Sequence, residues 1–87
     1  MIRPFRRETR IGIIDGFEVG PEDAPRLLML HASGTGAASL IRLAECAAEQ
    51  GWCAILPNLD GYGATRAAGP DAMTRHMAVA RQILEDA

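Results

Sequence analysis

The sequence predicts an α/β fold. Two apolar runs, Leu27–Leu30 and Trp52–Leu56, flank a segment whose apolar residues recur at helical spacing. Neither run alternates apolar with polar residues, so each suits a strand covered on both faces, as in a parallel sheet. Strand, helix and strand in that order make a parallel crossover unit.

The elements follow in chain order. Residues 7–20 are predicted as a hairpin: Ile11, Ile13 and Ile14 lead up to Asp15-Gly16, and Phe17-Glu18-Val19 leads away. Asp-Gly between β-forming runs is a strong turn signal, because both positions tolerate positive φ. Gly20 to Pro25 carries two prolines and two acids and reads as a loop. Residues 26–31 form the next strand. Residues 37–50 form a helix, with Leu40, Leu43, Ala44, Ala47 and Ala48 on one face and Gly51 suited to its C-terminal cap. Residues 52–57 form the second apolar strand, stopped by Pro57. A glycine-bearing loop runs to Gly69, and Pro70 suits the first turn of a helix over 71–86. Met73, Met77, Ala80 and Leu84 predict that helix's core stripe.

The chain of 87 residues is read as a single domain, 1–87. Its net charge of −2 gives no footprint for nucleic acid. The basic start of the chain (Arg3, Arg6, Arg7) is followed by no apolar run of the kind a leader or a membrane span needs. Cys46 and Cys53 fit neither a disulfide framework nor a metal spacing, and are expected as buried, reduced thiols of a cytoplasmic protein. No cofactor and no metal is implied.

In open α/β sheets chemistry gathers at the carboxyl ends of the strands. Two such ends are legible, His31 to Gly36 and Asn58 to Thr65, both rich in Gly and small polar residues. Small residues let backbone approach a ligand, and a helix opening there adds unpaired N–H groups. Either a developing oxyanion or a phosphate suits such a place.

Leu30-His31-Ala32-Ser33-Gly34-Thr35-Gly36-Ala37 is similar to the His-Gly turn after the third strand of α/β hydrolases, in the form found in carbon–carbon bond hydrolases. Gly51-Trp52 through Asn58-Leu59-Asp60-Gly61-Tyr62-Gly63-Ala64-Thr65 resembles that fold's fourth strand and its Asp-x-x-Gly-x-Gly-x-Ser loop. Ala32, Asn58 and Thr65 stand where those proteins have Gly, Asp and Ser. The resemblance implies that the backbone of Ser33 and Gly34 contributes to an oxyanion hole. It implies that His31, Ala32 and Gly36 support the turn. The nucleophile would sit on a G-x-S-x-G turn, and no such motif occurs in this sequence. No catalytic residue is therefore assigned. The resemblance further implies a partial α/β-hydrolase sheet ending before the nucleophile strand, from an enzyme hydrolysing ester or carbon–carbon bonds of a small molecule. The chain is expected to be inactive by itself. The 26–31 strand is expected to present an open edge to a second copy or to a complementing C-terminal half.

Blander roles are expected of the remaining polar residues: His31 as a structural histidine, His76 as a solvated one, Asp60 as a loop charge and Tyr62 as a packing aromatic. Glu45, Glu49, Glu85 and Asp86 read as helix-surface charge. The alternative reading is a small self-contained module binding a phosphate or nucleotide at Gly34–Ser39. Its third glycine is replaced by Ser39, and the next strand ends in Pro57-Asn58 where a ribose-binding acid belongs. The absence of lysine excludes a P-loop.

Overall fold

A computed structural model describes residues 1–86. Two long strands, β1 (Ile2–Thr9) and β2 (Gly12–Val19), form an antiparallel hairpin in which Thr9 faces Gly12. The turn therefore lies at Arg10-Ile11, not at Asp15-Gly16. Thr9 Oγ1 closes it by donating to Gly12 O at 2.8 Å and accepting from Ile11 N at 3.2 Å. Asp15-Gly16 lies inside β2, and its glycine has a packing cause: a Cβ there would come within 2.1 Å of Leu56 O on the neighbouring strand. Asp-Gly at that place marks close strand contact, and its Asp has another use, described below.

The sheet runs β1-β2-β4-β3, with β3 at Arg26–Leu28 and β4 at Cys53–Pro57. The β3–β4 pair is parallel, as the crossover pattern predicts, and β2 runs antiparallel to β4. A two-residue strand, β5 (Arg66–Ala67), pairs with β2 beside the hairpin turn. β3 is shorter than the 26–31 strand expected from its apolar run. Cys53 N donates to Pro25 O and Met29 N donates to Ile55 O. A parallel ladder advances two residues per bond, so the next donor on β4 would be residue 57, a proline without an N–H. Leu30 and His31 are thereby released from the sheet.

The segment 37–50 is not one helix. Residues Ala37–Leu40 form a 3₁₀ turn and α1 covers Ile41–Glu49. Gly36 has φ 83°, and Ser39 bonds back to Gly36 O through its amide at 3.3 Å and its hydroxyl at 2.7 Å. That local pairing competes with the α-helical ladder. α2 covers Ala72–Asp86 and is capped by Asp71, whose carboxylate accepts from Thr74 N at 2.8 Å. The Thr74 amide holds the Asp71 carboxyl below its usual range.

The helices cover opposite faces of the sheet. On one face Val19, Ala54 and Leu56 pack with Ala37 and Ala44; on the other, Ile14 and Ile55 pack with Val79 and Ile83 of α2. The expected α2 stripe is misplaced. Met73, Met77 and Leu84 are all more than half exposed, because the i, i+4 pair Val79 and Ile83 faces the sheet in their stead. Cys53 is buried as expected, whereas Cys46 lies exposed on α1. Trp52, expected in a buried strand, precedes β4 and is 40% exposed.

Candidate functional site at the carboxyl ends of β3 and β4

β3 and β4 are parallel neighbours, so the turns that follow them rise from the same end of the sheet. The His31–Gly36 turn meets the Asn58–Thr65 loop there. His31 joins them from beneath. It is 4% exposed, and its Nε2 accepts the Leu59 amide at 3.0 Å. An acceptor at Nε2 puts the ring proton on Nδ1, which lies 2.9 Å from Ala32 O and donates to it. Both ring nitrogens are thus engaged, in keeping with a structural histidine.

Asn58 makes a second join. Its Oδ1 accepts the Ala37 amide at 2.8 Å, and its Nδ2 donates to Asp15 at 3.0 Å. Asp15 also receives the Thr65 hydroxyl at 2.9 Å, while the same hydroxyl accepts the Asp15 amide at 3.0 Å. Desolvation pushes the Asp15 carboxyl upward, but bonds from the Ala64 amide, Asn58 and Thr65 outweigh it and hold the group below its usual range. Gly63 touches this hub: a Cβ there would fall 2.5 Å from Asn58 Nδ2 and 2.8 Å from the Asp15 carboxylate. The sequence offered one signal for Asp15, a lone carboxylate beside Ile13 and Ile14.

Asp60 has the role of a loop charge. It accepts the Ala67 amide at 2.8 Å and pairs with Arg75 at 2.9 Å, which ties the loop to α2. The Ala67 amide, followed by Arg75, holds its carboxyl below the ordinary range. His76 is half-buried rather than solvated.

The surface of the turn is formed by Ala32 to Thr35, all exposed. Thr35 N and Oγ1 both donate to Ala32 O, at 3.2 and 2.7 Å, which closes the turn. Gly34 and Gly36 both have positive φ, 87° and 83°, so glycine suits each. Among the described residues the Ser33 amide donates to no protein group, whereas the Gly34 amide donates to the Tyr62 hydroxyl. Tyr62 is therefore more than a packing aromatic, although its ring does pack edge-on against His31 with centroids 4.5 Å apart. Two of the amides that a phosphate would use past Gly36 are engaged internally: Ala37 N by Asn58 and Ser39 N by Gly36.

The arrangement offers, among the described residues, an amide at Ser33 without a protein partner on a rim fixed by His31, Asn58 and Asp15. It brings Ser33, Gly34, His31, Ala32 and Gly36 together as one turn. Among the described residues no group of His, Cys, Asp and Glu is placed to hold a metal.

No protein-family model and no curated protein matches the sequence. Solved structures do. A thioesterase domain from the curacin biosynthetic pathway superposes with a TM-score of 0.79 at 20% identity, over 98% of this chain and 33% of that one. A mutant of the N-acyl homoserine lactonase AidH, complexed with N-hexanoyl homoserine, superposes with a TM-score of 0.66 at 29% identity, over 95% of this chain and 33% of that one. The chain thus spans about a third of the length of these structures, and across that third its fold is that of an α/β hydrolase.

Proposed function

We propose that this chain supplies the anion-receiving part of a serine-type acyl-hydrolase site, with Ser33 N–H as donor to the carbonyl oxygen. One observation carries the reading: on an exposed residue, the Ser33 amide donates to no protein group among the described residues, and its turn is tied down by His31 and Asn58. When a nucleophile adds to a substrate carbonyl carbon, the π electrons move to oxygen. A fixed N–H at that oxygen stabilises the charge without reorganising. The names of the two solved neighbours, a thioesterase and a lactonase, favour acyl transfer from a small ester-type substrate over carbon–carbon cleavage.

The attacking group is not assigned within these residues, since Ser33 and Ser39 lie on no nucleophile turn. The chain alone is thus inactive. A complementing polypeptide segment, or a second copy, docks along the open edge of β3, where Leu27, Met29, Leu43 and Trp52 line an apolar groove. We place the protein in the cytoplasm; no helix among the described residues is long and apolar enough to cross a membrane.

The test has two arms. With p-nitrophenyl butyrate the purified chain is expected to give background hydrolysis without an acyl burst. A burst stoichiometric with protein and abolished in Ser33→Ala would refute the assignment. In an amide NMR spectrum, hexanoate at millimolar concentration is expected to shift the Ser33 resonance. No shift across residues 32–36 would refute the cradle.

A further inference from the structure

The hydroxyl of Tyr62 lies against the Gly34 amide at the exposed turn. Three contacts fix it. Its ring stands edge-on to His31, itself buried and doubly bonded. The ring edge lies 4.0 Å from where a Cβ on Gly36 would be, ordinary packing distance, and Gly36 is called for by its φ of 83°. Its oxygen accepts the Gly34 amide. A phenol that accepts through oxygen keeps its own proton to donate. The Gly34 amide is therefore engaged, whereas the Ser33 N–H and the Tyr62 O–H beside it remain able to donate.

We propose that Tyr62 O–H is the second donor to the substrate's carbonyl oxygen, beside Ser33 N–H, and that Gly34 N–H acts only through it. The proposal rests on the acyl-hydrolase reading above and names a further residue of that site. Its chemistry is that of a polarised donor. The Gly34 amide, and after it the Ser33 side chain, draw the phenol below its ordinary pKa, which strengthens the O–H as a donor. Among the described residues the groups facing the phenol are the Gly34 amide, the Ser33 side chain and the His31 ring. A carbonyl oxygen becoming an alkoxide would thus meet one backbone and one side-chain donor, both held in place beforehand.

Tyr62 is the only tyrosine in the chain, so phenolate absorbance reads it alone. The experiment titrates the intact chain by absorbance with and without saturating hexanoate, and follows amide spectra of the wild type and Tyr62→Phe. Hexanoate is expected to raise the Tyr62 midpoint, because a carboxylate that accepts the O–H disfavours the phenolate. Tyr62→Phe is expected to weaken hexanoate binding about tenfold, the scale of a lost hydrogen bond to a charged group. The proposal is overturned if Tyr62→Phe binds hexanoate equally or more tightly and hexanoate moves the wild-type Gly34 amide to its position in that variant. The phenol would then be a plug that ligand displaces. If hexanoate moves no amide in 32–36 of either protein, the cradle itself is wrong and the proposal fails with it. Should the Phe variant not fold, the wild-type titration decides alone: an unchanged or lowered midpoint under bound hexanoate overturns the proposal.

Discussion

The rim of the sheet and the edge of β3 are reached by adjacent residues of the same segment, yet they are built differently. At the rim every inward polar group has a partner: His31 with Leu59 and Ala32, Asn58 with Ala37 and Asp15, Thr65 with Asp15. Along the edge Leu43 and Trp52 stand 59% and 40% exposed and line an apolar groove with Leu27 and Met29. The rim is a finished polar structure, which rigidifies because a half-satisfied network would be costly. The edge is an apolar surface that water covers poorly and a strand or helix would cover well. Preorganisation at the rim therefore does not depend on the edge being covered, which is why anion binding can be sought in the chain as it stands.

Both regions hang from β4, so the core beneath it is the place to break them together. Leu56 is fully buried between β2 and α1. Leu56→Ala is expected to destabilise the chain by about 2–5 kcal/mol, and denaturant unfolding would measure it. Loss of rim amide shifts and of edge compactness at one denaturant concentration would show that the regions unfold as a unit.

The next largest effect separates them. Asp15→Asn removes the charged acceptor of the hub and is expected to cost about 1–2 kcal/mol at neutral pH, reduced by solvent access. The sign with pH is fixed. Asp15 and Asp60 are held below their ordinary values in the fold, so their stabilisation is full above the unfolded carboxyl pKa of about 4 and fades as pH falls through the folded values. Thermal melts across acid pH should fall less steeply for Asp15→Asn than for the wild type. Equal slopes would remove Asp15 from that role.

His31→Leu leaves the Leu59 amide without an acceptor and is expected to cost about 1–2 kcal/mol, confined to the rim. Hydrogen exchange should quicken at residues 58–65 and stay unchanged in β1 and β2. The smallest effect on stability belongs to the edge. Leu43→Arg is expected to change it by less than about 0.5 kcal/mol, since the side chain is more than half exposed already. The same change should lower self-association, measured by sedimentation. An unaltered sedimentation profile in a wild type that associates would place the contact elsewhere.

The crossover of β3, α1 and β4 was legible because a continuous apolar run, a 3.6-residue period and a second run leave little else to form. The turn at His31–Gly36 was legible for a related reason: small residues after a buried strand have few other uses. What escaped the sequence was set by partners distant along the chain. Asp15-Gly16 carries every local mark of a hairpin turn, yet its glycine answers to Leu56 and its carboxylate to Asn58 and Thr65. The end of β3 was decided by the missing N–H of Pro57 on another strand. The facing side of α2 was decided by which of two apolar stripes meets Ile14 and Ile55, a choice that periodicity alone leaves open. Tyr62 looked like a packing ring because nothing local announces that its hydroxyl lies against Gly34.

The two cysteines lie on opposite sides of a boundary that chemistry can read. Cys46 stands exposed on α1 in the groove beside β3, while Cys53 sits fully buried at the start of β4. An alkylating reagent therefore finds one sulfur on the native chain and two once the central strand comes away. Counting modified thiols by mass spectrometry would time that separation directly, in any mixture and without purification to homogeneity.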